Sequence, residues 1–160
     1  MKYFIKEYET RYFAGIEFPE GVSSIKDVKK IPELWNQLFN MNPDEIPDKT
    51  NPEHYIGLEI YPFDFQETKT FYYYAMVRTN GLIDATDSIV TKKLKAGRYI
   101  CFPIEFDRIK EEIQKVYQYI KQENIKVHMG FDYEDYLVEE NYRIPGAIVN
   151  FCLLLDQKDE

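Results

Sequence analysis

Thiol and imidazole side chains are scarce in this sequence: two cysteines and two histidines among 160 positions. His54 and His128 stand far apart with no CxxC or Cys/His cluster near them, which excludes a zinc site. Both read as structural. Cys101 and Cys152 sit inside the apolar runs YICFPIEF and IVNFCLLL and read as buried free thiols, because free cysteine behaves as a small hydrophobe. Basic residues are in deficit, Lys+Arg 20 against Asp+Glu 28, for a net charge of −8. Nucleic acid is bound by neutralising phosphates with a basic face, and anionic membranes attract polybasic segments. The charge balance argues against both. No apolar run approaches the roughly 20 residues of a spanning helix. Charges also interrupt the start, MKYFIKEYETRYF, where a signal peptide needs an apolar stretch. A cytoplasmic protein is expected. GxSxG, P-loop, GxGxxG and HExxH patterns are absent, so no cofactor or metal is expected.

Rings are abundant: 14 Tyr and 11 Phe beside a single Trp. With 44% hydrophobic and 30% charged residues the chain is globular. Its length suits one domain that buries roughly 70% of its unfolded surface. One core does not need so many hydroxyl-bearing rings, so a share of them is expected to line a binding surface.

The ring-rich start from Lys2 to Phe18 alternates as a strand, a tight break near Glu9-Thr10 and a second strand. Ser23 or Ser24 caps a helix to about Asn40, with Ile31, Leu34, Trp35, Leu38 and Phe39 at helical spacing. Pro43, Pro47 and Pro52 mark a loop. Tyr55–Tyr61 and Phe71–Thr79 read as strands, as do Ser88–Lys95 and Arg98–Phe106, joined at Ala96-Gly97. Asp107 is the expected N-cap of a helix to about Glu123. Strands follow at Phe131–Val138 and Ala147–Leu155. The order is ββαββ twice. Loose similarity between His54-Tyr-Ile-Gly57-Leu-Glu-Ile-Tyr61 and His128-Met-Gly130-Phe-Asp-Tyr-Glu134 adds to the case for an internal duplication. A duplicated unit packs about a pseudo-two-fold axis, and the groove between its halves is a natural ligand site.

Strand alternation sorts side chains onto two faces. Ile56, Leu58 and Ile60 are expected under the helices, with Tyr55, Glu59 and Tyr61 opposite. Likewise Phe131, Tyr133 and Leu137 oppose Asp132, Glu134 and Tyr136. Aligning Gly57 with Gly130 brings Glu59 level with Asp132 and Tyr61 level with Glu134. Carboxylates among tyrosines suit a cationic or polarised flat molecule, since ring quadrupoles attract a cation and a desolvated carboxylate supplies counter-charge. A half-wet antiparallel sheet alternates in the same way. Tyr72-Tyr73-Tyr74 suits cross-strand packing as readily as a site, and Trp35, on its helix's apolar stripe, suits the core as readily as a ligand contact.

Four stretches carry a family resemblance: IPELWNQLF (31–39), AGRYICF (96–102), Tyr133-Glu134-Asp135-Tyr136 as an aromatic-Glu-x-Tyr pattern, and Ile144-Pro145 before the last strand. With the second helix at the right interval, the chain resembles GyrI-like small-molecule-binding proteins, the effector-binding domain of AraC- and MerR-type multidrug regulators. The resemblance implies an α+β fold in a single domain over 1–160, with halves of about 1–80 and 88–156, an antiparallel sheet, helices on one side and a central ligand groove. It implies that Glu134 is the acid at the groove floor and that Phe106, Tyr142 and Tyr55 are pocket aromatics. With Tyr136, Asp132, Glu59, Tyr61 and Trp35 these make the expected ligand-binding set. Two departures stand out: Asp135 inside the pattern, and the long proline-rich loop 42–52.

Three functions are compatible with this reading. The first is a stand-alone binder of lipophilic, planar, often cationic molecules, including drugs and xenobiotics. The second follows from stand-alone relatives that hydrolyse cyclopropane-bearing DNA-alkylating compounds. Here Glu134 would be general base on water, with Tyr142 or Tyr136 as hydroxyl donor. The third is a protein-interaction module shielding a DNA-handling enzyme, its acidic surface suiting a basic partner.

Overall fold

The computed structural model describes residues 1–156. In chain order they form β1 (Phe4–Tyr8), β2 (Arg11–Glu17), α1 (Ile25–Val28), α2 (Ile31–Phe39), β3 (Tyr55–Ile60), α3 (Phe65–Thr68) and β4 (Tyr72–Thr79). There follow β5 (Val90–Leu94), β6 (Gly97–Glu105), α4 (Ile109–Gln122), β7 (Phe131–Tyr136) and β8 (Ile148–Leu154). All eight strands join one antiparallel sheet in the order β1-β6-β8-β7-β3-β4-β2-β5.

Replacing each strand by its counterpart in the other half (β1 by β5, β2 by β6, β3 by β7, β4 by β8) turns this order into its own reverse. A pseudo-two-fold axis therefore runs between β3 and β7. The first strand of each half is exchanged: β1 lies beside β6 and β5 beside β2, with Tyr8 opposite Gly97 and Arg11 opposite Leu94. Neither Glu9-Thr10 nor the Ala96-Gly97 joint closes a hairpin. Both carry the chain from one half's sheet to the other's.

The first expected helix is broken in two. Ser24 Oγ accepts the Asp27 N–H and caps α1, whereas Pro32 stands in the first turn of α2. Proline disfavours helical backbone at the residue before it and supplies no N–H, so the helix restarts there. Asp107 is not a cap either: a 3₁₀ turn over Phe106–Arg108 leads into α4, and Asp107 Oδ2 accepts from the Gly146 N–H.

The alternating faces are real, but the helices cover the opposite one from that expected. Ile56, Leu58 and Tyr133 lie on the helix-free side with Phe13, Met76, Tyr99 and Leu154. Cys101 and Cys152 are there too, as facing free thiols. On the other side, Leu34 and Leu38 of α2 pack on Ala14, Tyr73, Ala75 and Val77. Val116 and Ile120 of α4 pack on Ile100, Phe102, Val149, Phe151 and Leu153. Each helix thus seals its own half's outer strands, and the central pair β3/β7 is left in the seam between them. The inner face of the sheet demands a continuous apolar set, which Ile56, Leu58 and Tyr133 supply. Glu59, Asp132 and Glu134 consequently lie on the helix side.

Register corrects the alignment of halves as well. Glu59 is opposite Asp132 and Gly57 is opposite Glu134. Gly57 pairs with Ala75 as Glu134 pairs with Phe151, so Glu134, not Gly130, is the counterpart of Gly57. Tyr61 sits beside Gly130, its N–H donating to the Gly130 carbonyl at 2.9 Å.

Candidate functional site

The site is built on the absence of a side chain at Gly57. A Cβ there would lie 2.4 Å from the Tyr73 hydroxyl and 2.7 Å from Glu134 Oε1, so glycine leaves the space both groups fill. Glu134 is buried, and its Oε1 accepts from the Tyr136 hydroxyl at 2.8 Å and the Tyr73 hydroxyl at 3.3 Å. The Trp35 indole N–H donates to the same Tyr73 oxygen at 2.9 Å, tying α2 to the acid. Above lies a cover of rings meeting edge to face: Trp35 on Tyr136 (5.1 Å between centroids), Phe39 on Tyr55 (5.0 Å), and Tyr142 on Tyr136 (5.2 Å) and on Phe106 (5.1 Å). This geometry lets each positive ring edge meet a negative face.

Two further acids sit beside it. Asp132 is fully buried; its Oδ2 accepts from the Tyr61 hydroxyl at 2.8 Å and from the Tyr117 hydroxyl of α4. Glu59 Oε2 lies 3.2 Å from the same Tyr61 hydroxyl, whose one proton the closer Asp132 takes. Glu59 Oε1 and Asp132 Oδ1 are buried with no partner. Burial, then the neighbouring Asp132 and Glu134, hold the Glu59 carboxyl well above the usual range. Burial also pushes Asp132 up to about 7 against the pull of the Tyr117 and Tyr61 hydrogen bonds. Burial, then the acids, raise Tyr61, Tyr73, Tyr117 and Tyr136, so all four keep their protons and act as donors.

Among the described residues no Lys or Arg bonds to any of the three acids. The buried basic side chain, Arg11, lies on the other face of the sheet, stacked on Tyr8 at 3.6 Å and donating to the Tyr133 hydroxyl at 2.9 Å. No group of three His, Cys, Asp or Glu in the described residues could hold a metal ion. No helix among them is long and apolar enough to cross a membrane.

The structure brings Glu134, Tyr136, Trp35, Tyr55, Phe106 and Tyr142 into one aromatic assembly, and Glu59, Asp132 and Tyr61 into an adjoining polar one. Tyr142 is tied to the backbone: its hydroxyl accepts from the Leu137 N–H at 2.8 Å and donates to the Ile148 carbonyl at 2.9 Å. Asp135 points away from Glu134, sharing a face with Ile56 and contacting His54. His128 accepts the Gly130 N–H in a local turn. Sequence reasoning missed Tyr117 and Phe39 as site residues and left Tyr73 undecided. The Tyr73 position carried a usable signal, since it pairs with Glu59 across β3/β4. Tyr117 read as one more apolar position on its helix.

No curated protein matches this chain in sequence. Among solved structures, that of SAV2435 bound to tetraphenylphosphonium is similar over 98% of this chain and 94% of the other, at 16% identity and a TM-score of 0.74. The Vibrio cholerae integron cassette protein VCH_CASS2 covers 96% and 95%, at 17% identity and a TM-score of 0.65. A Listeria innocua hydrolase encoded by lin2189 covers 97% and 92%, at 9% identity and a TM-score of 0.53. Similarity at such identities speaks to the fold alone. The sequence profile described as "Cass2: Integron-associated effector binding protein" matches residues 4–148. The chain belongs to this integron-associated effector-binding family, a GyrI-like group of small-molecule-binding proteins.

Proposed function

We propose that residues 1–160 act as one effector-binding domain for flat, lipophilic, often cationic small molecules such as drugs and other xenobiotics. The carrying observation is Glu134, buried under edge-to-face rings, with tyrosine hydroxyls as its partners and no basic residue bonded to it among the described residues. A buried carboxylate without counter-charge is costly, and a cation stacked among Trp35, Tyr55 and Tyr136 supplies that charge while the ring quadrupoles hold it. Access lies under α2, a nine-residue helix that buries only Leu34 and Leu38. Moving it aside exposes the acid at little expense of core.

Trp35 is the single tryptophan, so its fluorescence reports the site directly. Titration with tetraphenylphosphonium, the ligand in the SAV2435 structure, is expected to change Trp35 emission saturably. Glu134→Gln is expected to weaken binding about tenfold or more, the scale of one charge-assisted contact. Equal affinity in the two proteins refutes the assignment of Glu134.

A second reading is favoured by the Tyr136 hydroxyl 2.8 Å from Glu134, an acid and a donor in contact. There Glu134 takes a proton from water attacking a cyclopropane-bearing alkylating compound, and a tyrosine donates to the opening ring. Mass spectrometry separates the readings: a product gaining one water, formed by wild type and not by Glu134→Gln, marks hydrolysis, whereas a ligand recovered unchanged marks binding.

A further inference from the structure

We propose that Asp132 with Glu59 forms a second donor-binding subsite, so that the favoured ligands carry two cationic N–H groups rather than one. This rests on the reading of Glu134 as the first cation's partner. Asp132 is fully buried, its Oδ2 is taken by Tyr61 and Tyr117, and its Oδ1 has no partner. Glu59 Oε1 likewise has no partner, and its Oε2 has a 3.2 Å contact with the Tyr61 hydroxyl, whose one proton goes to the closer Asp132. Buried side-chain oxygens are almost always satisfied, so each exception needs its own explanation. Two of them stand face to face here, because Glu59 and Asp132 are register partners on β3 and β7.

The four tyrosines divide between the acids. Tyr73 and Tyr136 serve Glu134, while Tyr61 and Tyr117 serve the Asp132 end. Asp132 and Glu134 are two residues apart on one face of β7, a spacing of about 7 Å. The class that matches is a compact diamine or bis-amidine whose charged groups flank one ring or a short chain. A single bulky onium centre, with no N–H to donate, answers Glu134 and leaves the second pair of oxygens unmet.

The test uses two probes with the same ring, 4-methylbenzylamine with one ammonium group and p-xylylenediamine with two, alongside tetraphenylphosphonium. Dissociation constants from calorimetry or Trp35 emission are measured for the full chain. Wild type is expected to bind the diamine about tenfold or more tighter than the monoamine. Asp132→Asn and Glu59→Gln are each expected to bring that ratio close to one, with a loss of tetraphenylphosphonium affinity several-fold smaller than the loss of diamine affinity. Glu134→Gln weakens all three probes. The two subsite variants test the point separately, so one of them failing to fold leaves the other decisive. A wild-type ratio near or below one, or a ratio unchanged in a folded subsite variant, overturns the second subsite while tetraphenylphosphonium binding upholds the first. Failure of wild type to bind tetraphenylphosphonium overturns the Glu134 reading itself.

Discussion

At the scale of single residues, Gly57 decides the site's shape. Its φ is unexceptional, so its role is space. A methyl group there would press on the Tyr73 hydroxyl and Glu134 Oε1 at 2.4 and 2.7 Å. Gly57→Ala is expected to displace both groups, cost about 1–3 kcal/mol of stability as overpacking does, and weaken tetraphenylphosphonium binding. Urea unfolding and Trp35 titration check the two effects separately, and an alanine variant with unaltered affinity would detach Gly57 from the site. The acids were legible in the sequence because period-two alternation places Asp132 and Glu134 on one face of their strand and sets Glu59 opposite the apolar residues of its own. Tyr117 was not. A tyrosine on an amphipathic helix satisfies the apolar pattern with its ring, and nothing local shows that its hydroxyl meets a carboxylate fifteen positions later.

Among the elements, α2 is the lightly held one that covers Glu134. It is nine residues long, has no side-chain cap and buries only Leu34 and Leu38, whereas β3 and β7 are paired on both sides at the centre of the sheet. Local opening free energy follows buried contacts and shielded hydrogen bonds. Amide hydrogen exchange in α2 is therefore expected to be faster than in β3 and β7, and to slow when a ligand packs beneath Trp35 and Phe39. Exchange in α2 as slow as in the central strands would rule the helix out as the moving cover. The sequence showed the apolar stripe of this helix but misjudged which sheet face it covers. Alternation yields two sets of side chains, and the more apolar set was given to the helices. The curled sheet claims that set for its own interior, so the helices take the mixed one.

For the whole molecule, the twofold ββαββ order was legible, since each strand and helix carries its own period. The exchange of β1 and β5 was not, because a strand's local pattern does not name its partner. That exchange links the halves at both ends of the sheet and helps hold three acids together in the seam. Their proximity makes stability depend on pH in a direction that can be worked out. Glu59 and Asp132 have folded pKa values above their ordinary 4.5 and 3.8, with Asp132 at about 7. Between those limits the folded chain binds more protons than the unfolded one. By linkage the contribution of these groups is full below about pH 4 and is lost as pH rises through about 7. The groups facing the acids are Tyr61, Tyr73 of β4, Tyr117 of α4, Tyr136 of β7 and the Trp35 indole of α2. The tyrosines stay protonated, so the titration belongs to the carboxyls. A bound cation reverses the loss by replacing protons as counter-charge, so the ligand-induced rise in Tm is expected to grow from about pH 5 to 8. The difference between wild type and Asp132→Asn isolates the seam. That difference is expected to be a flatter Tm profile in the variant without ligand. Parallel profiles would mean that the acids share no protons on folding, and that the charge a cation meets there is already in place.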